Sequence, residues 1–183
     1  MKKIYLIGSL ILLILVQACV NDADDSGSAN DTKKQPIVFI EKVDKQFVED
    51  AAHINMAEIE LGKLAIKKGS DKRIKNFGAI LVKQHNKINI KLQVLARAKK
   101  IPLPVSIDSI SNKNLATLAQ NNGKAFDKAF LNYVVTNHQR CVQLFEQASK
   151  HVIDADLRKI ADKNLLILKR HLDLIDVVKK GFK

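Results

Sequence analysis

Residues 100–123 read KIPLPVSIDSISNKNLATLAQNNG, and they decide how the rest of the chain is arranged. Pro102 and Pro104 keep a long helix from running through this stretch, and its remainder predicts one short helix near residues 112–120. On both sides of it, apolar residues recur at intervals of three and four rather than two, which predicts helix. The chain has only 7 Gly and 3 Pro, mostly at the predicted boundaries.

Four long helices follow from that periodicity. The first, over about residues 41–69, places Phe47, Ala51, Ile54, Glu58, Leu61 and Ala65 on one stripe, and Gly69-Ser70 supplies a stop and a new start. The second, about 71–99, aligns Ile74, Phe77, Leu81, His85, Ile88, Leu92 and Leu95. The third, about 124–151, aligns Phe126, Phe130, Val134, His138, Cys141, Phe145 and Ala148. The fourth, about 154–181, opens on Asp154 as N-cap and aligns Leu157, Ala161, Asn164, Leu168, His171, Ile175 and Val178. The first and second helices, and the third and fourth, are joined by only a few residues, so each pair is an antiparallel hairpin. A middle connection of about 24 residues can instead run the ~40 Å length of a ~28-residue helix. The expectation is an all-α, ferritin-like four-helix bundle with a long crossover connection between helices 2 and 3.

The N-terminus is built for export. Met1-Lys2-Lys3 is basic and Ile4 to Val16 is an almost unbroken apolar run, so residues 1–18 read as a signal peptide. Ala18 before Cys19 resembles the lipobox of bacterial lipoproteins, which implies that Cys19 is acylated and becomes the first residue of the mature protein. Gln17 departs from that motif, which more often has a small or apolar residue there. The apolar run is too short to span a bilayer well, and Asn21, Asp22, Asp24 and Asp25 follow it. Residues 19–36 form the lipidated cysteine and a linker too poor in apolar residues to order itself, and residues 37–183 form the bundle domain. Asp22, Asp24 and Asp25 resemble short surface-export signals, or are simply solvated. Val20 is not the aspartate associated with inner-membrane retention, so the resemblance favours an outer-membrane lipoprotein facing the periplasm or the surface. With Cys19 acylated, Cys141 is the one remaining thiol and no internal disulfide forms.

Polar residues interrupt each apolar stripe: Glu58, His85, His138 and His171, one per helix. In the crossover topology they lie about 12, 15, 14 and 11 residues from the end that holds the first hairpin turn, within a slab ~6 Å thick. Four potential ligands at one level of a bundle core suit a mononuclear metal. They also suit a structural polar network with Glu58 as the histidines' partner, or another small ligand. Cys141, one turn beyond His138, is a possible extra soft ligand or a small hydrophobe. Asp127 favours the start of its helix, His53 and His151 read as solvated, and Glu60 and Glu146 as surface partners of lysines.

The stretches His53 to Ala65 (HINMAEIELGKLA), Phe77 to Asn86 (FGAILVKQHN), Phe126 to Glu146 (FDKAFLNYVVTNHQRCVQLFE) and Leu165 to Leu174 (LLILKRHLDL) resemble the bacterial domain of unknown function 4142 family. That resemblance covers essentially residues 41–181 and rests on Ala57-Glu58, His85, Phe126-Asp127, His138 and His171. It implies an exported or outer-membrane protein with a ferritin-like fold, and no established activity. Gln84 stands where the family usually has an acid, and Leu166 approximately where it has a proline. A ferritin-like di-iron centre is disfavoured, because such centres need Glu-x-x-His pairs and the residues three before the histidines are Val82, Val135 and Leu168. One Glu and three His suit a single Zn, Cu, Mn or Fe better.

Charge suggests a second kind of partner. The chain has 31 Lys and Arg against 19 Asp and Glu, a formal net charge of +12, and only Lys2 and Lys3 would leave with the leader. Lys169, Arg170, Lys179 and Lys180 on the last helix could dock on anionic envelope components by a salt-sensitive attraction, or be ordinary solvated positions. Nucleic acid is an unlikely partner, because no recognition motif is present. No catalytic constellation appears: no phosphate loop, no His-Glu-x-x-His and no nucleophile elbow. The reading is therefore a lipid-anchored, non-catalytic binding protein. An interaction or scaffold module is the alternative, and ferritin-like metal storage or redox chemistry ranks third.

Overall fold

The computed structural model describes residues 40–182; the signal peptide, Cys19, the linker and the expected domain boundary at 37 lie outside the described residues. Five helices follow in order: α1 (Lys42–Lys68), α2 (Lys72–Ala98), α3 (Ser109–Ala119), α4 (Gly123–His151) and α5 (Ala155–Lys180). Three of them start on an aspartate whose carboxylate takes an otherwise unpaired N–H of the first turn: Asp71 from Arg73, Asp108 from Ser111, and Asp154 from Asp156 and Leu157. Because Asp108 supplies that cap, α3 starts at Ser109, ahead of the expected stretch 112–120.

Contacts at the two ends define the topology. At one end the α1–α2 turn meets the start of α4: the Ser70 and Asp71 backbone N–H groups donate to the buried Asp127 carboxylate at 3.0 and 2.9 Å, and the Ser70 hydroxyl also donates to it. At the other end Asp44, in the first turn of α1, accepts from the Ile153 N–H at 2.8 Å in the α4–α5 turn, and Lys99, just past α2, pairs with Asp154 at 2.6 Å. Hence α2 and α4 run parallel, each antiparallel to its hairpin partner. The connection through α3 returns along the whole bundle, which is the one-crossover arrangement. α1 lies against α2 and α4, and α5 against α4 and α2. α3 covers the α1/α4 seam, where Leu115 and Leu118 are buried.

α1 and α2 approach until their backbones touch. A Cβ on Gly62 would stand 2.6 Å from the Gly78 carbonyl oxygen, and one on Gly78 2.7 Å from that of Gly62. Only glycine permits this contact. The apolar interior falls into two clusters. One, toward the α4–α5 turn, includes Phe47, Val48, Leu92, Cys141, Phe145 and Leu168, with Phe47 and Phe145 edge to face at 5.4 Å. The other, toward the α1–α2 turn, includes Leu61, Phe77, Leu81, Phe126, Phe130, Val134 and Ile175. Between them lies a layer of buried polar side chains.

Candidate functional site

Glu58, His85, His138 and His171 are each 0% exposed, one from each of α1, α2, α4 and α5. Each occupies an inward position of its stripe, so 3.6-residue periodicity delivers it to the axis. The histidine ring centroids are 5.2–5.7 Å apart, and one ring nitrogen from each lies within 4.8 Å of the others. Phe77 meets the His138 and His171 rings from the side, at 6.3 and 6.1 Å.

Hydrogen bonds on the outer edge of each ring orient it. Asn55 donates through Nδ2 to the Ala51 carbonyl at 2.7 Å, which directs its Oδ1 to His85 Nδ1 at 2.9 Å. A carbonyl oxygen can only accept, so His85 carries its proton on Nδ1 and turns a bare Nε2 inward. That Nε2 is buried without a partner. His171 Nε2 faces Gln84 Oε1 at 2.9 Å and donates to it, which leaves Nδ1 bare. His138 Nδ1 lies 3.3 Å from both the Val134 carbonyl and Glu58 Oε1, and its Nε2 is 3.1 Å from His171 Nδ1. Glu58 also accepts from Asn137 Nδ2, while its second oxygen has no partner.

Burial keeps this layer neutral. It pushes the Glu58 carboxyl up to about 8, against the downward pull of the Asn137 hydrogen bond. It pushes His138 down to about 4, against its bond to the Val134 carbonyl, and His171 down to about 3, with His138 adding repulsion. His85 lies well below the ordinary histidine range through burial and then the two neighbouring rings. The His138–Glu58 contact is therefore a neutral hydrogen bond near pH 7, although its length would allow an ion pair. Protons can be placed consistently. Glu58 O–H donates to His138 Nδ1, which then gives up its bond to the Val134 carbonyl, His138 Nε2–H donates to His171 Nδ1, and His171 Nε2–H to Gln84. In that arrangement His85 Nε2 still has nothing to bond.

The sequence-derived candidates thus separate. The three histidine nitrogens converge, whereas Glu58 stands behind His138, on the opposite side of the ring from Nε2. Cys141 is packed into the apolar cluster with Phe47 and Phe145, its thiol pushed well above the ordinary range by burial. Sequence reasoning missed Asn55 and Asn137, and noticed Gln84 only as a departure. Asn55 stands three residues before Glu58 and Gln84 beside His85, spacings that place them along the same layer. His53 is half-buried, with an unpartnered Nδ1, rather than solvated. Asp127 acts as a fastener for the first hairpin turn. Glu60 and Glu146 pair with Lys63 and Lys169, both at 2.7 Å. On α5, Lys180 pairs with Asp176 at 2.6 Å, so two of the four cations expected to dock on anions are already engaged. Among the described residues no helix is long and apolar enough to cross a membrane.

The family model of the domain of unknown function DUF4142 matches residues 29–177. Among solved structures, the crystal structure of a DUF305 fragment from Deinococcus radiodurans has the same fold. Its TM-score is 0.68 at 10% identity, and the match covers 76% of this chain and 96% of that one. No curated protein matches the chain.

Proposed function

We propose, for a chain that belongs to the DUF4142 family, that the bundle core binds one transition-metal ion through His85 Nε2, His138 Nε2 and His171 Nδ1. The observation that supports this most strongly is His85 Nε2. Its lone pair is turned inward by Asn55, buried and unpartnered, at a cost of about 1–3 kcal/mol that a ligand between the rings relieves. His138 Nε2 and His171 Nδ1, at 3.1 Å, already stand near the ~3.3 Å that two nitrogens adopt on a tetrahedral zinc. The third nitrogen has to close in by about 1.5 Å at most to reach the same spacing.

Three neutral imidazoles suit Zn(II), Cu(II) or Fe(II). Asn55, Gln84 and Glu58 take the outer-ring partner positions that hold metal-bound histidines in one tautomer. Binding then releases one proton. The Glu58 proton passes to His138 Nδ1, the proton on His138 Nε2 leaves, and ionised Glu58 offsets part of the metal's charge. A bridged pair of irons is disfavoured, because among the described residues Glu58 is the one carboxylate in this layer. The role is binding rather than catalysis. On the Ala18-Cys19 motif, the chain is read as a lipoprotein of the outer membrane.

Elemental analysis of the chain purified without a metal-binding tag, followed by Zn(II) and Co(II) titration, tests the reading. One equivalent is expected, with about one proton released, and His138→Ala with His171→Ala should abolish both. A folded wild-type chain that takes up no metal would leave the layer as a polar network and nothing more.

A further inference from the structure

At the end of the bundle where α1 turns into α2, α4 begins and α5 stops, there is a cleft of about 750 Å³. Asp71, Asp127, Arg73, Lys124, Lys128 and Lys179 line it. Both acids also hold the fold. Asp127 holds Ser70 and Asp71, and Asp71 caps α2 while binding the Arg73 guanidinium through two contacts, Nε at 3.0 Å and Nη2 at 2.7 Å. The cations are not spent: Lys124, Lys128 and Lys179 form no ion pair among the described residues.

Arg73 is held in place at the wall. Asp71 grips one edge of its guanidinium, and the Phe182 ring lies 5.2 Å from its central carbon. Gly181 is so close that a Cβ there would collide with Nη1. With two of its five N–H groups given to Asp71, the rest remain available to a ligand. Leu131 and Phe182 add apolar wall beside the charges.

We propose that this cleft binds a phosphate-type oxyanion, presented either as free phosphate or as the headgroup of an anionic lipid. Arg73 fixed beside Asp71, with three ammonium groups set against the one other carboxylate, Asp127, leaves the cleft net positive and fits that chemistry, and the site is independent of the histidine layer. Calorimetric titration of the full chain with inorganic phosphate at low ionic strength, and sedimentation with phosphatidylglycerol or phosphatidylcholine vesicles, test it. Saturable binding is expected, weakened about tenfold or more by Lys124→Gln with Lys128→Gln and by Arg73→Gln. Lys159→Gln with Lys163→Gln, which removes the same charge from the far part of α5, should change it less than twofold. Phosphate saturation without a preference for phosphatidylglycerol identifies the free ion as ligand, and a phosphatidylglycerol preference that phosphate competes away identifies the headgroup. Absence of saturable binding of either probe, or equal losses in the cleft and control variants, overturns the site.

Discussion

Replacing His85 with Leu and Asn55 with Ala should make the metal-free chain more stable and unable to bind metal. In the native layer His85 Nε2 has no partner, which costs about 1–3 kcal/mol, while the His85–Asn55 hydrogen bond returns about 0.5–1.5 kcal/mol. The double change removes the orphan and its bond together, so neither partner is left unsatisfied. Leucine is somewhat larger than histidine and alanine smaller than asparagine, so the total volume is nearly kept. Alanine also gains a few tenths of a kcal/mol in the interior of α1. The expected net gain is about 1–2 kcal/mol, which for a chain of this size raises Tm by about 2–8 °C. Urea unfolding in the presence of a chelator measures it, with the m-value unchanged. Adding zinc should stabilise the wild type and not the variant, because only a state with a site gains from mass action. A metal-free variant less stable than wild type by about 1 kcal/mol or more would refute the reasoning, since the polar layer would then be holding the fold together.

The metal-free chain should be most stable near pH 6.5. The three core histidines are neutral in the fold and protonate below about 6.5 when unfolded, so stability rises with pH up to there. Glu58, held at about 8 in the fold against 4.5 in its ordinary state, keeps a proton that the unfolded chain has lost, so stability then declines toward pH 8. Glu58→Gln should abolish that decline in denaturation curves taken from about pH 5 to 8, below the range in which the unfolded chain ionises Cys141. Gly78→Ala should cost about 1–3 kcal/mol in urea and weaken metal binding, because the added methyl forces α2 off the Gly62 carbonyl. Cys19→Ser should abolish acyl labelling, and a wild-type chain with no acyl mass would end the lipoprotein reading.

Much of the fold was legible because helix periodicity and hairpin length constrain each other. Short joins after Gly69 and before Asp154 allow only antiparallel neighbours, and a stretch with Pro102 and Pro104 is long enough to return along the bundle. The level of Glu58, His85, His138 and His171 followed from rise per residue. What lay beyond periodicity was direction within the layer. Nothing in the spacing tells which nitrogen of His85 faces the axis, because that depends on Asn55 finding the Ala51 carbonyl within its own helix. Nor could it show that Glu58 backs onto the His138 ring instead of joining the others, since both are simply inward residues. Asp127 was equally opaque: its role depends on Ser70, which lies 57 residues away in the chain.

The three converging nitrogens come from both hairpins, and the last of them belongs to α5. Neither hairpin alone can assemble the cluster, and no ribosome-bound fragment lacking α5 has it. If the proposed metal binds there, it can be held only after α5 has been made and the two halves have closed on each other. Under that proposal, the metal supply of the compartment in which the chain finishes folding would bear on which ion is taken up, alongside the ranking of affinities of the three imidazoles.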